Sequence, residues 1–284
     1  MTEFPTFIEF NSLSHAEISS LAPETIVYNT SGSRRSAALA GVEPEGDEYA
    51  AWNRIGMINR LKMLFDHGVK HILKPVVTPS MFSEKTENYS EHLWRWIDWA
   101  FASEESLAEF TKLGWNVNII FAEFMPELHK TQQRLSSLGW HDDRPSLWII
   151  VNPKHNQFNE WMLQKIQSQE TVVANSQEAI KLLYGADIPP AKLYLDFGKL
   201  MISPDIVPPF LKGVMDCYWT QQPGYRLTDE NFRRILYDSL YTRKTWKKDK
   251  RGRALEAVNT REYWEGNKVV GIGKRLEPYW YPTE

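Results

Sequence analysis

The residues with the clearest chemical potential form a short turn, Ser31-Gly32-Ser33, followed at once by Arg34 and Arg35. Gly32 lets the backbone approach an anion closely, and the two serine hydroxyls can donate hydrogen bonds. The planar guanidinium groups of the arginines match the oxygens of a diphosphate. The segment is therefore a candidate diphosphate-binding loop, although a surface turn with two solvated arginines has the same composition.

A long helix is expected to follow this loop. The acids Asp47 and Glu48 suit the first turn of a helix over residues 47–67, and Gly68 stands just past its end. The spacing i, i+3, i+4, i+7 puts one set of residues on a common face: Tyr49, Trp52, Asn53 and Gly56. The small Gly56 is expected to leave room for a bulky substrate there.

Strand and helix signals alternate along the chain and predict an α/β fold with a mostly parallel sheet. The strands are predicted at 26–29, 69–77, 116–121, 146–151, 171–173, 192–196 and 268–272. The helices are predicted at 47–67, 89–113 (one or two), 126–138, 156–168, 175–184 and over about 17 residues after Thr228. Ligands of such sheets bind beyond the carboxyl ends of the strands, where the loop after residue 29 lies.

Two further segments complete the organisation. Residues 198–227 contain several prolines and are interpreted as an irregular crossing segment. The basic run 243–253 is interpreted as a solvated loop, with an anion-binding flap as the alternative. The whole chain, residues 1–284, is expected to form a single domain.

Composition narrows the function classes. The net charge of −3 argues against general nucleic-acid binding, which needs a basic surface. No apolar run approaches the roughly 20 residues of a membrane span, and the first residues lack the pattern of a signal peptide, so a cytoplasmic protein is expected. The lone Cys217 excludes an internal disulfide, and no Cys/His cluster in the sequence indicates a zinc site.

The aromatic content fits chemistry on carbocations. The chain has 12 Trp, 12 Tyr and 13 Phe, and aromatic faces stabilise cations held over them. Most of these rings are nevertheless expected to serve as core packing.

Several motifs resemble the tuberculosinol synthases, tuberculosinyl transferases and kolavelool-type diterpene synthases, a branch of the cis-prenyltransferase superfamily. They occur in the order of that family: Ser31–Arg35, Asp47-Glu48-Tyr49, Arg60–Gly68, Phe232–Arg243 and Val270–Gly273. The resemblance implies the cis-prenyltransferase fold, and the superfamily is commonly dimeric, so a homodimer is expected.

The resemblance also implies roles for individual residues. Gly32, Ser33, Arg34 and Arg35 correspond to the diphosphate-binding loop. Tyr49 corresponds to a tyrosine beside the reacting allylic carbon, which would orient water or another nucleophile, or take up a proton. Packing at the pocket rim is the alternative for Tyr49.

Two weaker assignments follow from the same resemblance. Tyr89 matches a second pocket tyrosine. Arg234, on the late helix, is placed within reach of the diphosphate, with a salt bridge to Asp238 as the alternative.

Metal dependence is open because Ser31 stands where the family has an aspartate that helps to hold Mg²⁺ and diphosphate. A serine is a poor ligand for a hard cation. Three interpretations remain: another acid binds Mg²⁺, with Asp47 and Glu48 as candidates, or ionisation is metal-independent, or activity has been lost.

Two absent motifs argue against rival chemistries. Chain-elongating relatives carry a second diphosphate site with two arginines, and the corresponding stretch Tyr194–Leu200 has none. Chain elongation is therefore disfavoured. The Asp-Asp-x-x-Asp motif of ordinary class I terpene synthases is also absent, since Asp142–Ser146 fails at its fifth position.

The resulting hypothesis is a diterpene synthase. It would ionise a C20 diterpenyl diphosphate, already cyclised by an upstream class II diterpene cyclase, and let water capture the allylic cation. Transfer to a small nucleophile such as a nucleoside is the first alternative. A non-catalytic subunit that binds prenyl diphosphate or a partner chain is the second.

Overall fold

The computed structural model describes residues 4–30, 32–44, 46–83, 89–169, 172–197, 203, 205–220, 224–242, 253–259, 261–266, 273–276 and 279–282. The chain divides into two compact units, one of residues 13–229 and one of residues 1–12 with 230–284. Each unit is described by itself.

The helices and strands are numbered in chain order. The helices are α1 (Phe7–Asn11), α2 (His15–Ser19), α3 (Ser33–Leu39), α4 (Gly46–Asp66), α5 (Pro79–Phe82), α6 (Tyr89–Ala102), α7 (Glu104–Leu113), α8 (Pro126–Ser136), α9 (Gln157–Gln167), α10 (Ser176–Tyr184), α11 (Asp229–Tyr237), α12 (Arg253–Asn259) and α13 (Arg261–Gly266). The strands are β1 (Thr25–Asn29), β2 (His71–Val77), β3 (Asn116–Ile120), β4 (Ser146–Val151), β5 (Ala191–Phe197), β6 (Lys212–Thr220), β7 (Gly273–Leu276) and β8 (Tyr279–Pro282).

The larger unit is built on a six-stranded sheet in the order β3-β4-β2-β1-β5-β6. All five strand pairs are parallel, which confirms the predicted α/β class. The interior strands β1 and β4 are buried almost throughout. Because apolar side chains on both faces of these strands are removed from water, the sheet forms the core of the unit.

Helix α4 carries much of the candidate site, and its two ends follow sequence signals. Asp47 and Glu48 stand in its first turn. Gly68, two residues past its end, has a φ of +93°. An added Cβ at Gly68 would meet the backbone of Ser19. Only glycine therefore suits this position, because it tolerates both the positive φ and the close approach.

The smaller unit packs aromatic rings between α1 and α11. Phe10 is fully buried, and its ring lies 5.6 Å from that of Tyr237 and 5.9 Å from that of Tyr241. The Tyr237 hydroxyl donates a 2.9 Å hydrogen bond to the carbonyl oxygen of Pro5. A π-helical turn, Asp238–Thr242, extends α11, and β7 and β8 pair as an antiparallel hairpin.

Three predicted elements need comment. The strand predicted at 171–173 is wrong over residues 172–173, where Val172 is 90% exposed and makes no ladder. The irregular segment predicted at 198–227 contains β6, whose alternating exposure is that of a strand at the sheet edge. The strand predicted at 268–272 and most of the basic run lie outside the described residues.

None of the helices in the described ranges combines the length and apolar character needed to cross a bilayer.

Substitution of two glycines tests how the end of α4 is fixed. Gly68→Ala should destabilise the protein by about 3 kcal/mol, because it adds a contact with Ser19 to the strain of positive φ. Gly114→Ala is the matched control, since Gly114 has a φ of +66° and open space around it, and it should cost about 1 kcal/mol. Denaturant unfolding measures both, and equal losses would contradict the close packing at Gly68.

Candidate active site

The candidate loop leaves the carboxyl end of β1, at the centre of the parallel sheet. Gly32 adopts a left-handed conformation, with φ +76° and ψ +31°, and precedes α3. The amide and hydroxyl groups of Ser36 both donate to the Gly32 carbonyl oxygen, at 2.9 and 3.0 Å. Ser31 lies outside the described residues, so its assigned role stays a prediction.

A hydrogen bond joins the loop to α4. The hydroxyl oxygens of Ser33 and Tyr49 are 2.7 Å apart. Tyr49 is only 5% exposed. Burial raises the pKa of its hydroxyl, while the Ser33 bond and the nearby Arg34 charge act in the opposite direction. The hydroxyl is therefore protonated at neutral pH and can share one proton with Ser33.

An aromatic cluster surrounds this hydroxyl pair. The ring of Trp96 lies edge-on to Tyr49 at 5.6 Å and to Tyr89 at 6.3 Å. The guanidinium carbon of Arg34 stands 5.1 Å from the centre of the Tyr89 ring. The structure thus brings Ser33, Arg34, Tyr49 and Tyr89 together, as the sequence hypothesis requires, and adds Trp96.

The second loop arginine packs directly on the glycine. A Cβ at Gly32 would lie 2.9 Å from one terminal guanidinium nitrogen of Arg35. Any larger residue would displace the guanidinium group, so Gly32 is needed for close approach as well as for its positive φ. Two guanidinium groups therefore flank one turn of backbone.

A buried lysine lies beneath the loop. Lys74, on β2, is 3% exposed, and its ammonium donates a 2.5 Å hydrogen bond to the Thr30 hydroxyl. The ammonium also stands 5.3 Å from the centre of the Tyr28 ring. Burial lowers the pKa of Lys74 to about 7. A bound anion nearby would favour its protonated form.

The space beside Gly56 is filled by protein, which corrects the prediction that it receives substrate. A Cβ at Gly56 would lie 3.2 Å from the ring of Tyr225. That tyrosine donates a 2.5 Å hydrogen bond to the Asn53 side-chain oxygen and packs edge-on against Trp52 at 5.7 Å. The predicted face of α4 therefore serves two purposes, because Tyr49 meets the loop and the other three residues hold Tyr225.

The neighbouring strand end carries a buried carboxylate. Asp196, on β5, is 4% exposed and pairs in register with Asn29 of β1. The Asn29 amide donates a 3.1 Å hydrogen bond to this carboxylate. Residues 198–200 of the stretch that was compared with the second diphosphate site lie outside the described residues.

Three predicted residues take no part in the contacts given above: Asp47, Glu48 and Arg234. Asp47 and Glu48 are exposed in the first turn of α4, one turn or less from Tyr49. Arg234 belongs to the smaller unit. Its guanidinium forms a 3.0 Å ion pair with Glu230 and stacks 4.2 Å from the centre of the Phe7 ring. Glu230 is a partner that the sequence analysis did not name.

A cavity of about 450 Å³ lies at the β3 edge of the sheet. It is lined by β3 and by polar residues of α8, among them Gln132, whose side-chain oxygen accepts a 3.1 Å hydrogen bond from the Ile119 amide. Strand β3 is three strands from β1, or about 14 Å at the usual spacing. This cavity is therefore separate from the candidate active site.

Sequence reasoning missed Lys74, Trp96 and Tyr225. A lysine inside the otherwise apolar run of β2 was the available signal for Lys74. Trp96 and Tyr225 had no local signal, because their positions depend on how α6 and the segment after β6 approach α4.

The chain is similar to two known enzymes along nearly its whole length. The chain is 39% identical over 282 residues to the (+)-kolavelool synthase of Herpetosiphon aurantiacus, covering 99% of this chain and 97% of the relative. It is 25% identical over 292 residues to the tuberculosinyl adenosine transferase of Mycobacterium tuberculosis, covering 97% of this chain and 96% of the relative. No protein-family profile matches the chain.

Solved structures show the same fold at low identity. Lavandulyl diphosphate synthase from Lavandula x intermedia, in complex with dimethylallyl diphosphate, gives a TM-score of 0.58 at 12% identity over 78% of this chain and 96% of its own. A probable undecaprenyl diphosphate synthase from Campylobacter jejuni gives 0.54 at 11% identity, over 76% and 94%. The chain thus belongs to the enzyme family of the (+)-kolavelool synthase, and it has the cis-prenyltransferase fold that the sequence predicted.

Proposed function

We propose that the protein is a diterpene synthase that ionises a bicyclic C20 allylic diphosphate and lets water capture the cation. The observation that carries this proposal is the 2.7 Å Ser33–Tyr49 hydroxyl pair, held beside Arg34 and against an aromatic wall. This hydroxyl pair would lie between a loop that binds the diphosphate and aromatic rings suited to a carbocation. The kolavelool synthase relative supports the same reaction class.

Ionisation would be assisted by charge fixed at the loop. As the carbon–oxygen bond breaks, its electrons go to the diphosphate, which leaves as an anion. Arg34 and Arg35 would stabilise that developing charge without reorganising. Lys74 lies below the same loop, and the diphosphate would favour its protonated form.

Capture would be directed by the hydroxyl pair. Water adds to the allylic cation and forms the new carbon–oxygen bond, after which one proton must leave the oxonium. Tyr49 would orient this water, and the departing diphosphate is the base strong enough to receive the proton. The rings of Tyr49, Tyr89 and Trp96 would stabilise the cation until it is captured.

A divalent cation fits the residues present. Mg²⁺ is commonly bound through one or two carboxylates together with substrate phosphates, and Asp47 and Glu48 are two exposed carboxylates in the same helical turn as Tyr49. When bound, Mg²⁺ would neutralise part of the diphosphate charge. Metal-independent ionisation by the arginines is the competing proposal, because Ser31 is a poor ligand.

Transfer to a small nucleophile is the second candidate. It is favoured by the relative that is a tuberculosinyl adenosine transferase. The same ionisation would precede it, and only the group that captures the cation would differ.

The two candidates can be separated with purified protein. It would be incubated with geranylgeranyl diphosphate and, separately, with a bicyclic C20 diphosphate made in place by a class II cyclase, with and without adenosine, in Mg²⁺ or EDTA. A new alcohol and released diphosphate from the bicyclic substrate support the synthase. A nucleoside adduct would indicate the transferase instead. If no diphosphate were released in any of the incubations, a binding subunit would be favoured.

The loop charge can be tested by substitution. Arg35→Ala should lower kcat by about 10²–10³-fold, the loss expected for one preorganised charge stabiliser. Arg95→Ala, an exposed arginine on α6, is the control and should leave kcat within about two-fold. Steady-state release of diphosphate measures both, and near-normal turnover of Arg35→Ala would remove this side chain from the mechanism.

The hydroxyl pair predicts a change of products. Tyr49→Phe removes the hydrogen bond to Ser33, at a cost of about 1 kcal/mol in stability, but should shift products from alcohol to hydrocarbons formed by proton loss. Tyr184→Phe serves as the control, since it removes a hydroxyl bonded to the Pro209 carbonyl outside the cluster. Gas chromatography measures the products. An unchanged alcohol fraction would show that the Tyr49 hydroxyl serves only in packing.

The burial of Lys74 predicts that replacing it raises stability and lowers activity. The unfolded chain holds the lysine proton up to about pH 10, whereas the folded protein releases it near pH 7. Between these values the unfolded state binds more protons, so stability due to this group rises with pH. Lys74→Met should raise Tm at pH 6 by about 5 °C. It should also weaken the increase of stability between about pH 7 and pH 10.

The same variant should lose activity. Removing a buried cation below the loop should slow diphosphate release by at least about 10-fold. A Lys74→Met protein that is more stable and fully active would show that the lysine has no part in the reaction.

A further inference from the structure

Three side chains converge at the far end of α4 from Tyr49. The Nε2 atoms of His15 and His67 each lie 3.2 Å from Oδ1 of Asp229. The ligand atoms of the three residues all lie within 4.8 Å of one another, and in the part of the chain that the structure describes no other group of three such side chains converges in this way. All three residues belong to the larger unit.

The hydrogen bonding of His67 determines which nitrogen faces the cluster as an acceptor. Its Nδ1 is 2.7 Å from the carbonyl oxygen of Met63. A carbonyl can only accept, so Nδ1 carries the proton. In the neutral ring the Nε2 lone pair then points at a carboxylate oxygen, which is itself an acceptor. Two acceptors 3.2 Å apart need a hydrogen or a cation between them, and a metal ion bound by both atoms would meet that need.

The surroundings of His67 suit a metal ligand. Its side chain is fully buried, so the ring is held in place by its neighbours. A backbone carbonyl bonded to the remote ring nitrogen is also the usual way in which proteins orient a metal-binding histidine. The His15 and His67 rings stand edge-on at 4.7 Å, so both can present Nε2 to one point.

The distances fit a small transition-metal ion. With metal–nitrogen and metal–oxygen bonds of about 2.0–2.2 Å, a tetrahedral Zn²⁺ site has ligands about 3.3 Å apart, close to the two observed 3.2 Å separations. Imidazole donors favour Zn²⁺, Ni²⁺ or Cu²⁺ over Mg²⁺, which prefers oxygen. His15 and Asp229 are each about half exposed, which leaves the site accessible to the ion and to a water as fourth ligand.

We propose that His15, His67 and Asp229 form a structural site for a divalent transition metal, with Zn²⁺ as its best fit. The end of α4 lies about 25 Å along the helix from Tyr49, so the ion takes no part in diphosphate chemistry. It would fasten α2 and the chain at Asp229 to the end of the helix that carries Tyr49. The site gave no signal in the sequence because its three residues are far apart in the chain.

Binding is tested on the full chain after treatment with EDTA and its removal. The protein is titrated with Zn²⁺ alone by calorimetry and with Co²⁺ alone by visible absorption, which responds to the ligand geometry. We expect a single Zn²⁺ per chain, a tetrahedral Co²⁺ spectrum, and a rise in Tm of about 5 °C or more at a free Zn²⁺ concentration about 100 times Kd.

Variants of the two exposed ligands distinguish this site from other histidines. His15→Gln and Asp229→Asn should each weaken Zn²⁺ binding at least 10-fold and abolish the Tm rise, while the exposed His141→Gln should behave as the wild type. Diphosphate release by His15→Gln in Mg²⁺ should be unchanged. Absence of Zn²⁺ binding, or binding that survives both ligand variants, would overturn the proposal and leave a protonated His67 paired with Asp229.

Discussion

In the proposed reaction, stabilising the negative charge of the departing diphosphate is the constraint on which the site depends. The central strand β1 ends at the edge of the sheet where parallel strands present their carboxyl ends. Gly32 turns the chain there with a positive φ and leaves room for the guanidinium of Arg35. The same turn brings Ser33 to Tyr49 and Arg34 to Tyr89, so the proposed anion-binding loop and the proposed aromatic wall for the cation share one piece of backbone.

Lys74 illustrates the cost of such a site. A buried ammonium in an otherwise apolar strand opposes folding, and hydrophobic residues of similar size would pack there without that penalty. In the proposed reaction, its position below the loop offers a functional reason for retaining it, since a bound anion would add a charged partner to the Thr30 hydroxyl. Destabilising groups are common where a protein must stabilise charge.

The sequence predicted those features that depend on local signals. Acids at the start of α4, glycine after its end and the apolar runs of β1 and β4 each act within a few residues, so the fold class, most elements and the loop followed from them. Strand β6 was missed because apolar residues such as Val214, which is 98% exposed, stand on its outer face, so hydropathy does not follow the alternation of exposure. The space beside Gly56 was wrongly assigned to substrate. Tyr225 fills it, and this contact was missed because it depends on packing between distant segments.

The central claim is that the carbon–oxygen bond of the substrate breaks and that water captures the cation beside Tyr49. Reaction of the bicyclic C20 diphosphate in water enriched in oxygen-18, with mass spectrometry of both products, tests this directly. Capture of a cation places the heavy oxygen in the diterpene alcohol and leaves the released diphosphate unlabelled. An unlabelled alcohol with the heavy oxygen in the phosphate product would show attack at phosphorus, and would contradict the account.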